Sequence, residues 1–141
     1  MDDIRKLANS LAKKYQSRNP FEIIQGMNTI LVFAPLIDVR GFYQYFQRNN
    51  IIYMDEHLPE YEQKFVCAHE LGHMLMHRKE NTVFMDTRTY LKTTPYETEA
   101  DKFAMELLVP NEIILENCRN TTEQLSRLTG YSEELIRLRL K

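Results

Sequence analysis

Two histidines and a glutamate stand in the otherwise apolar core of the stretch FVCAHELGHMLMHR, residues 65–78. His69 and His73 are four residues apart, so on a helix they lie about 6 Å apart along the axis and on one face. Both imidazoles can reach one point, which Glu70 can approach from the side. Two neutral nitrogen ligands, with a carboxylate that takes a proton from water, suit a hydrolytic zinc site. The spacing predicts a Zn²⁺ site with His69 and His73 as ligands and Glu70 as the general base.

The alternative is a pair of core histidines held only by hydrogen bonds. Buried polar groups need partners, and between residues 65 and 76 only His69, Glu70 and His73 carry strongly polar side chains. A metal ion satisfies both imidazoles at once, so the metal site is the preferred interpretation.

A zinc hydrolase usually has three protein ligands, and a second helix offers the third. In PYETEADKFAMELLVP, residues 95–110, the helical phase places Glu97 within the apolar stripe and Glu99 off its opposite edge. Glu97 is therefore the predicted third ligand. Asp101 is placed to accept a hydrogen bond from the outer nitrogen of a ligating histidine. Thr94 and Glu97 also match a capping box, in which case Glu97 only closes the helix start and Glu99 becomes the ligand.

The other two histidines are not predicted as ligands. His77 lies about 12 Å along the axis from His69, too far for three side chains of one straight helix to share an ion. It is expected at the helix C-terminus, facing the dipole, and His57 is expected at the surface. A donor for a developing oxyanion is also needed. Tyr90, Tyr96 and His57 are candidates that the sequence does not separate.

A small sheet and several helices must position these residues. Three segments, 29–36, 41–47 and 51–55, are rich in β-branched or aromatic residues and predict an antiparallel sheet with a hairpin at 41–55. Helices are predicted before the sheet, from Pro59 to about His77, from Pro95 to about Val109, and as short segments thereafter. The polar segment 78–94 is expected to be a loop, and the predicted class is α+β.

Composition and charge exclude several classes of protein. The formal net charge of −2 gives no general electrostatic reason to bind nucleic acid or acidic membranes. The first residues carry charges throughout and lack the apolar core of a signal peptide, and no apolar run has the length of a membrane span. Cys67 and Cys118 lie outside any C-x-x-C motif, which suits a reducing cytosol. A cytoplasmic protein without membrane contact is expected.

HELGH, followed by ETEADKFAMELLVP, resembles the gluzincin-type zinc metallopeptidases, and most closely the ImmA/IrrE family of bacterial and phage regulatory proteases. The match spans roughly residues 40–110. The resemblance implies a zincin-like fold with His69, His73 and Glu97 as ligands, Glu70 as general base and Asp101 behind a ligating histidine. The family more often has methionine before Pro110, where this chain has Val109, and this departure touches no catalytic position.

The resemblance also implies limited proteolysis of a partner, typically a helix-turn-helix repressor of a prophage or mobile element. The strand at 51–55 is expected to serve as an edge along which an extended substrate pairs. The alternative function is a non-proteolytic zinc-binding regulator that binds a protein or DNA partner.

The tail, residues 119–141, has the outline of a helix-turn-helix, with a capping box at Thr121 and a turn at Gly130. Its second helix begins with two glutamates, where a recognition helix would approach phosphates, so DNA binding is disfavoured. We expect a zincin-like metallopeptidase domain at 1–118 and a C-terminal hairpin at 119–141 packed on it.

Overall fold

The computed structural model describes residues 2–78, 84–87 and 94–141. In these ranges the chain forms helices around one mixed sheet, which confirms the predicted α+β class. The elements are α1 (Asp2–Tyr15), α2 (Pro20–Gly26), β1 (Ile30–Ala34), β2 (Val39–Phe46), β3 (Asn49–Asp55), α3 (Glu60–Met76), β4 (Phe84–Thr87), α4 (Pro95–Leu108), α5 (Asn111–Glu116), α6 (Thr122–Thr129) and α7 (Glu133–Leu140).

The sheet has the strand order β1-β3-β2-β4. The predicted hairpin is confirmed, since β2 and β3 pair antiparallel and are joined through Gln47 and Arg48, both with positive φ. The prediction of a wholly antiparallel sheet was wrong, because β1 pairs parallel with β3. β3 reverses the direction of β2 and then inserts beside β1, so these two strands run the same way.

The strand order also shows that two further expectations were wrong. β3 lies between β1 and β2, so both of its edges are paired and it offers no edge to a substrate. The expected loop at 78–94 contains β4, which pairs antiparallel with β2 at the outer side of the sheet. Four residues are too few to display an alternation that a sequence pattern would reveal.

Helix α3 is the centre of the packing, with the sheet on one side and α4 on another. All side chains from Phe65 to Met74 are buried. Gly72 lets α3 and α4 approach closely, because a Cβ at this position would lie 3.1 Å from Phe103 Cδ1 and 3.4 Å from Ala100 Cα. A side chain at this position would therefore require Phe103 to shift by a few tenths of an ångström.

The C-terminal helices pack on this framework. The capping box predicted at Thr121 is confirmed, with reciprocal bonds to Gln124 of 3.1 and 2.8 Å, and Gly130 ends α6 with φ of 85°. In the turn that follows, the Tyr131 ring lies 6.0 Å from that of Phe65 on α3. Helix α7 packs against α4. The division into domains at residue 118 stays a prediction. Among the helices described, none has the length and apolar character that crossing a membrane requires.

Candidate metal centre

Helix α3 buries the three side chains that the sequence singles out. His69 is 2% exposed, and Glu70 and His73 are fully buried. The helix begins after Pro59 with Glu60 and Glu62 in its first turn, where negatively charged side chains interact favourably with the helix dipole. The predicted helix is thus confirmed, and its buried face carries the H-E-x-x-H motif.

Helix α4 brings Glu97 to the two histidines. Thr94 caps this helix by accepting a hydrogen bond from the Glu97 backbone N–H at 3.2 Å. The Glu97 carboxylate points elsewhere, with Oε1 2.7 Å from His73 Nε2 and Oε2 3.4 Å from His69 Nε2. Helix α4 is therefore capped through the Glu97 backbone N–H, and the Glu97 carboxylate faces the histidines instead of completing a capping box.

The three side chains offer ligand atoms that all lie within 4.8 Å of one another. His69 Nε2 and His73 Nε2 are 3.2 Å apart. Two nitrogens bound to one tetrahedral zinc ion are about 3.3 Å apart, given Zn–N bonds of about 2.0–2.1 Å. Two imidazoles and one carboxylate are also a donor set that zinc prefers. The three residues therefore fit a zinc ion in donor type, and the two histidine nitrogens also fit it in spacing.

The outer nitrogen of His69 has a carboxylate partner. His69 Nδ1 lies 2.7 Å from Asp101 Oδ1, on the turn of α4 that follows Glu97. A carboxylate only accepts, so Nδ1 carries the proton of this contact, which leaves Nε2 as the nitrogen that a metal would bind. Asp101 thus lies at the outer nitrogen of His69, the kind of position that the sequence predicted for it.

His77 lies at the C-terminal end of α3, as expected, and its side chain has partners that were not predicted from the sequence. The residue follows the last residue of α3 and is 4% exposed. Its Nδ1 lies 2.8 Å from His73 Nδ1, and its Nε2 lies 2.8 Å from Glu99 Oε1. Glu99 is therefore directed at His77 and lies outside the three-residue cluster. The spacing of four residues between His73 and His77 was the signal for this contact.

Charges within the cluster shift several pKa values. Burial alone would raise the pKa of Glu97, but hydrogen bonds with His69 and His73 outweigh it and lower that pKa to about 2. Burial would lower the pKa of His69, yet hydrogen bonds to Asp101 and Glu97, with the charge of Glu70, raise it well above its usual value. Burial prevails at His73 and lowers its pKa. The low pKa of Glu97 keeps its carboxylate ionised at neutral pH.

The oxyanion candidates are spread over different places. His57 has an exposed side chain, with Nδ1 3.2 Å from the buried carboxylate of Asp55. The Tyr96 ring lies edge-on to His77 with 4.8 Å between ring centroids. Tyr90 lies outside the described residues. Of these, Tyr96 is the one that the structure describes beside the histidines.

Comparison with known proteins gives consistent matches. A family model described as the IrrE N-terminal-like domain, from a peptidase family, matches residues 26–141. The chain is similar to immunity region protein 2 of Bacillus phage phi105, with 35% identity over 139 residues, 96% of this chain and 88% of the phage protein. It is also similar to the metallopeptidase ImmA of Bacillus subtilis strain 168, with 27% identity over 135 residues, 94% of this chain and 75% of that protein. These similarities extend well beyond the candidate metal centre.

Proposed function

Because this chain belongs to the peptidase family described by the IrrE N-terminal-like domain, we propose that it is a zinc-dependent endopeptidase with a zincin-like fold. Its proposed activity is limited proteolysis of a regulatory protein. The observation that carries this proposal is the convergence of His69 Nε2, His73 Nε2 and the Glu97 carboxylate, with the buried Glu70 on the same helix.

His69, His73 and Glu97 are the proposed zinc ligands. Zinc bound by such residues lowers the pKa of a water molecule to about 7 and polarises a carbonyl oxygen. The chain's own contribution is a rigid arrangement, because two ligands lie on α3 and one on α4, and the close contact at Gly72 fixes the distance between these helices. Ligands on packed helices keep their geometry better than ligands on loops.

Glu70 is the proposed general base. It lies next to His69 on α3, and its negative charge contributes to the raised pKa of that histidine. The carboxylate would take a proton from the attacking water and return it to the leaving amine. General acid–base catalysis of this kind contributes about 10²- to 10⁴-fold to a rate.

The proposed substrate is a helix-turn-helix repressor of a phage or mobile element. The ImmA/IrrE resemblance implies this substrate, and the phage relative is named for an immunity region. DNA binding by the chain's own tail is disfavoured. Arg139 of α7 is buried and donates to Val109 O at 2.7 Å, and exposed Glu133 and Glu134 open that helix.

The test compares wild-type protein with Glu70→Gln, and with Glu116→Gln as an exposed control of the same chemistry. Each is co-expressed with a doubly tagged helix-turn-helix repressor from the same genome, and zinc is measured in the purified chains. We expect one discrete repressor fragment with wild type and control. Glu70→Gln should retain zinc and cleave about 10²- to 10⁴-fold more slowly.

Two outcomes would contradict the proposal. Cleavage by Glu70→Gln at the wild-type rate would exclude Glu70 as the base. Stoichiometric zinc without cleavage of any repressor would favour the alternative, a zinc-binding regulator that acts through a protein partner without proteolysis.

A further inference from the structure

Beyond the three proposed ligands, a second pair of side chains reaches the cluster from behind. His77 is in contact with His73, and Glu99 is in contact with His77. We infer that His77 and Glu99 are positioning residues that hold His73 in the tautomer able to bind metal. This inference rests on the proposed function, because it assumes that His73 is a zinc ligand.

The proton arrangement follows from the types of atom in contact. An ionised Glu99 only accepts, so His77 Nε2, 2.8 Å away, is the donor of that pair. A neutral His77 then has a bare Nδ1, which accepts from His73 Nδ1 at 2.8 Å. A neutral His73 with its proton on Nδ1 has a lone pair on Nε2. The chain of bonds from Glu99 therefore leaves the nitrogen that faces His69 and Glu97 free of a proton.

Glu97 makes this arrangement necessary. Its Oε1 is 2.7 Å from His73 Nε2, so in the absence of metal it favours the other tautomer, in which Nε2–H donates to Glu97. That tautomer has no lone pair on Nε2 for a cation. The bonds from His77 and Glu99 act on the opposite side of the His73 ring. They favour the tautomer with the proton on Nδ1 over the tautomer with the proton on Nε2. At His69 the same task falls to Asp101.

The surroundings hold His77 in a fixed orientation. The residue is 4% exposed, its backbone N–H donates to His73 O at 2.8 Å, and the Tyr96 ring packs on its edge. Solvent therefore competes little for its ring nitrogens. Glu99, with a side chain 47% exposed, is the outer end of the chain of bonds.

The chemistry makes opposite predictions for two substitutions of His77. A glutamine offers a side-chain carbonyl that can accept from His73 Nδ1, whereas a phenylalanine fills the space but accepts nothing. If His77 positions His73, zinc affinity should be higher in His77→Gln than in His77→Phe. If His77 only fills space, the apolar ring should preserve zinc affinity at least as well as the amide.

The experiment measures zinc dissociation constants of the full chain by competition with a chromophoric chelator. Loss of a residue behind a metal ligand typically weakens metal binding about 10- to 100-fold. We expect that loss in His77→Phe, a smaller loss in Glu99→Ala, and recovery of most of the affinity in His77→Gln. His57→Gln is the matched control and should bind zinc as wild type does, because His57 contacts Asp55 outside the cluster.

The possible results separate this inference from the proposed function. Wild-type affinity in folded His77→Phe, or in Glu99→Ala where the phenylalanine variant does not fold, would overturn the positioning role alone. Higher affinity in His77→Phe than in His77→Gln would also overturn it. A wild-type chain that binds no zinc would overturn the proposed metal centre and this inference together.

Discussion

Glu106 on α4 is the anion of a buried ionic cluster, and its replacement by glutamine should destabilise the fold strongly. Its carboxylate lies 3.1 Å from Arg5 Nε, 3.0 Å from Lys102 Nζ and 3.4 Å from Arg139 Nη1. The side chains of Glu106 and Lys102 are each 1% exposed, and that of Arg139 is 3% exposed. One carboxylate therefore serves two buried cations and the half-buried Arg5.

The size of the effect follows from what the substitution leaves behind. Glu106→Gln removes the carboxylate charge that contacts the buried Lys102 and Arg139, and breaking a buried pair in this way costs about 3–5 kcal/mol. Both cations keep hydrogen bonds to backbone carbonyls, Lys102 to Leu138 O at 3.0 Å and Arg139 to Val109 O at 2.7 Å. We therefore expect the lower end, about 3 kcal/mol of unfolding free energy. Total stabilities of small domains are about 5–15 kcal/mol.

Urea unfolding followed by circular dichroism measures this loss. With a slope of about 1–3 kcal/mol/M, a loss of about 3 kcal/mol lowers the unfolding midpoint by roughly 1–3 M. Glu123→Gln is the matched control, because Glu123 pairs with Arg127 at the surface. Exposed pairs contribute about 0–1 kcal/mol. A loss in Glu106→Gln no larger than in the control would refute the reasoning.

Three further predictions concern single sites. Glu97→Gln should lose most of the bound zinc and Glu99→Gln should keep it, measured by elemental analysis; the reverse result would make Glu99 the ligand. Cys67 should resist thiol reagents until the protein unfolds, because burial and the neighbouring charge of Glu70 raise its pKa, whereas exposed Cys118 should react at once; one fast thiol in the native protein and two in denaturant is the expected count. Burial raises the pKa of Tyr43 to about 12, above its unfolded value of about 10. Its ionisation therefore disfavours the folded state, and stability should fall as pH rises from about 10 to 12. An ultraviolet titration in which Tyr43 ionises with a midpoint near 10 would contradict this prediction.

The parts of the site that depend on local geometry could be predicted from the sequence. A helix repeats at a fixed angle, so the spacing of His69 and His73, and the phase of Glu97 and Asp101, are enough to place these side chains on facing surfaces. The contact between α3 and α4 then brings them together. Capping box and ligand are rival roles for the Glu97 side chain, and the helical phase favours the ligand; in the structure the carboxylate faces the histidines and the backbone N–H contacts Thr94.

The parts that depend on distant pairing could not be predicted. β1 pairs with β3, which is not its neighbour in sequence, and β4 pairs with β2, which is distant in sequence. Local residue patterns do not specify which distant strands pair. The contact of His77 with His73 was missed for a different reason. Its distance from His69 excludes direct ligation, but the relevant neighbour is His73, one turn away. A test limited to direct ligands misses a histidine that acts on a ligand.

Three carboxylates in the first two turns of α4 contact the three histidines of α3 and its C-terminal end. Glu97 faces His69 and His73, Asp101 faces the outer nitrogen of His69, and Glu99 reaches His73 through His77. All three carboxylates belong to α4, so a change in the position of this helix displaces them together. A shift of this helix along α3 would disturb the proposed ligand and both proton acceptors together, so the close approach of the helices at Gly72 supports the proposed site as well as the core. The buried cluster around Glu106 holds the other end of the same helix against α1 and α7.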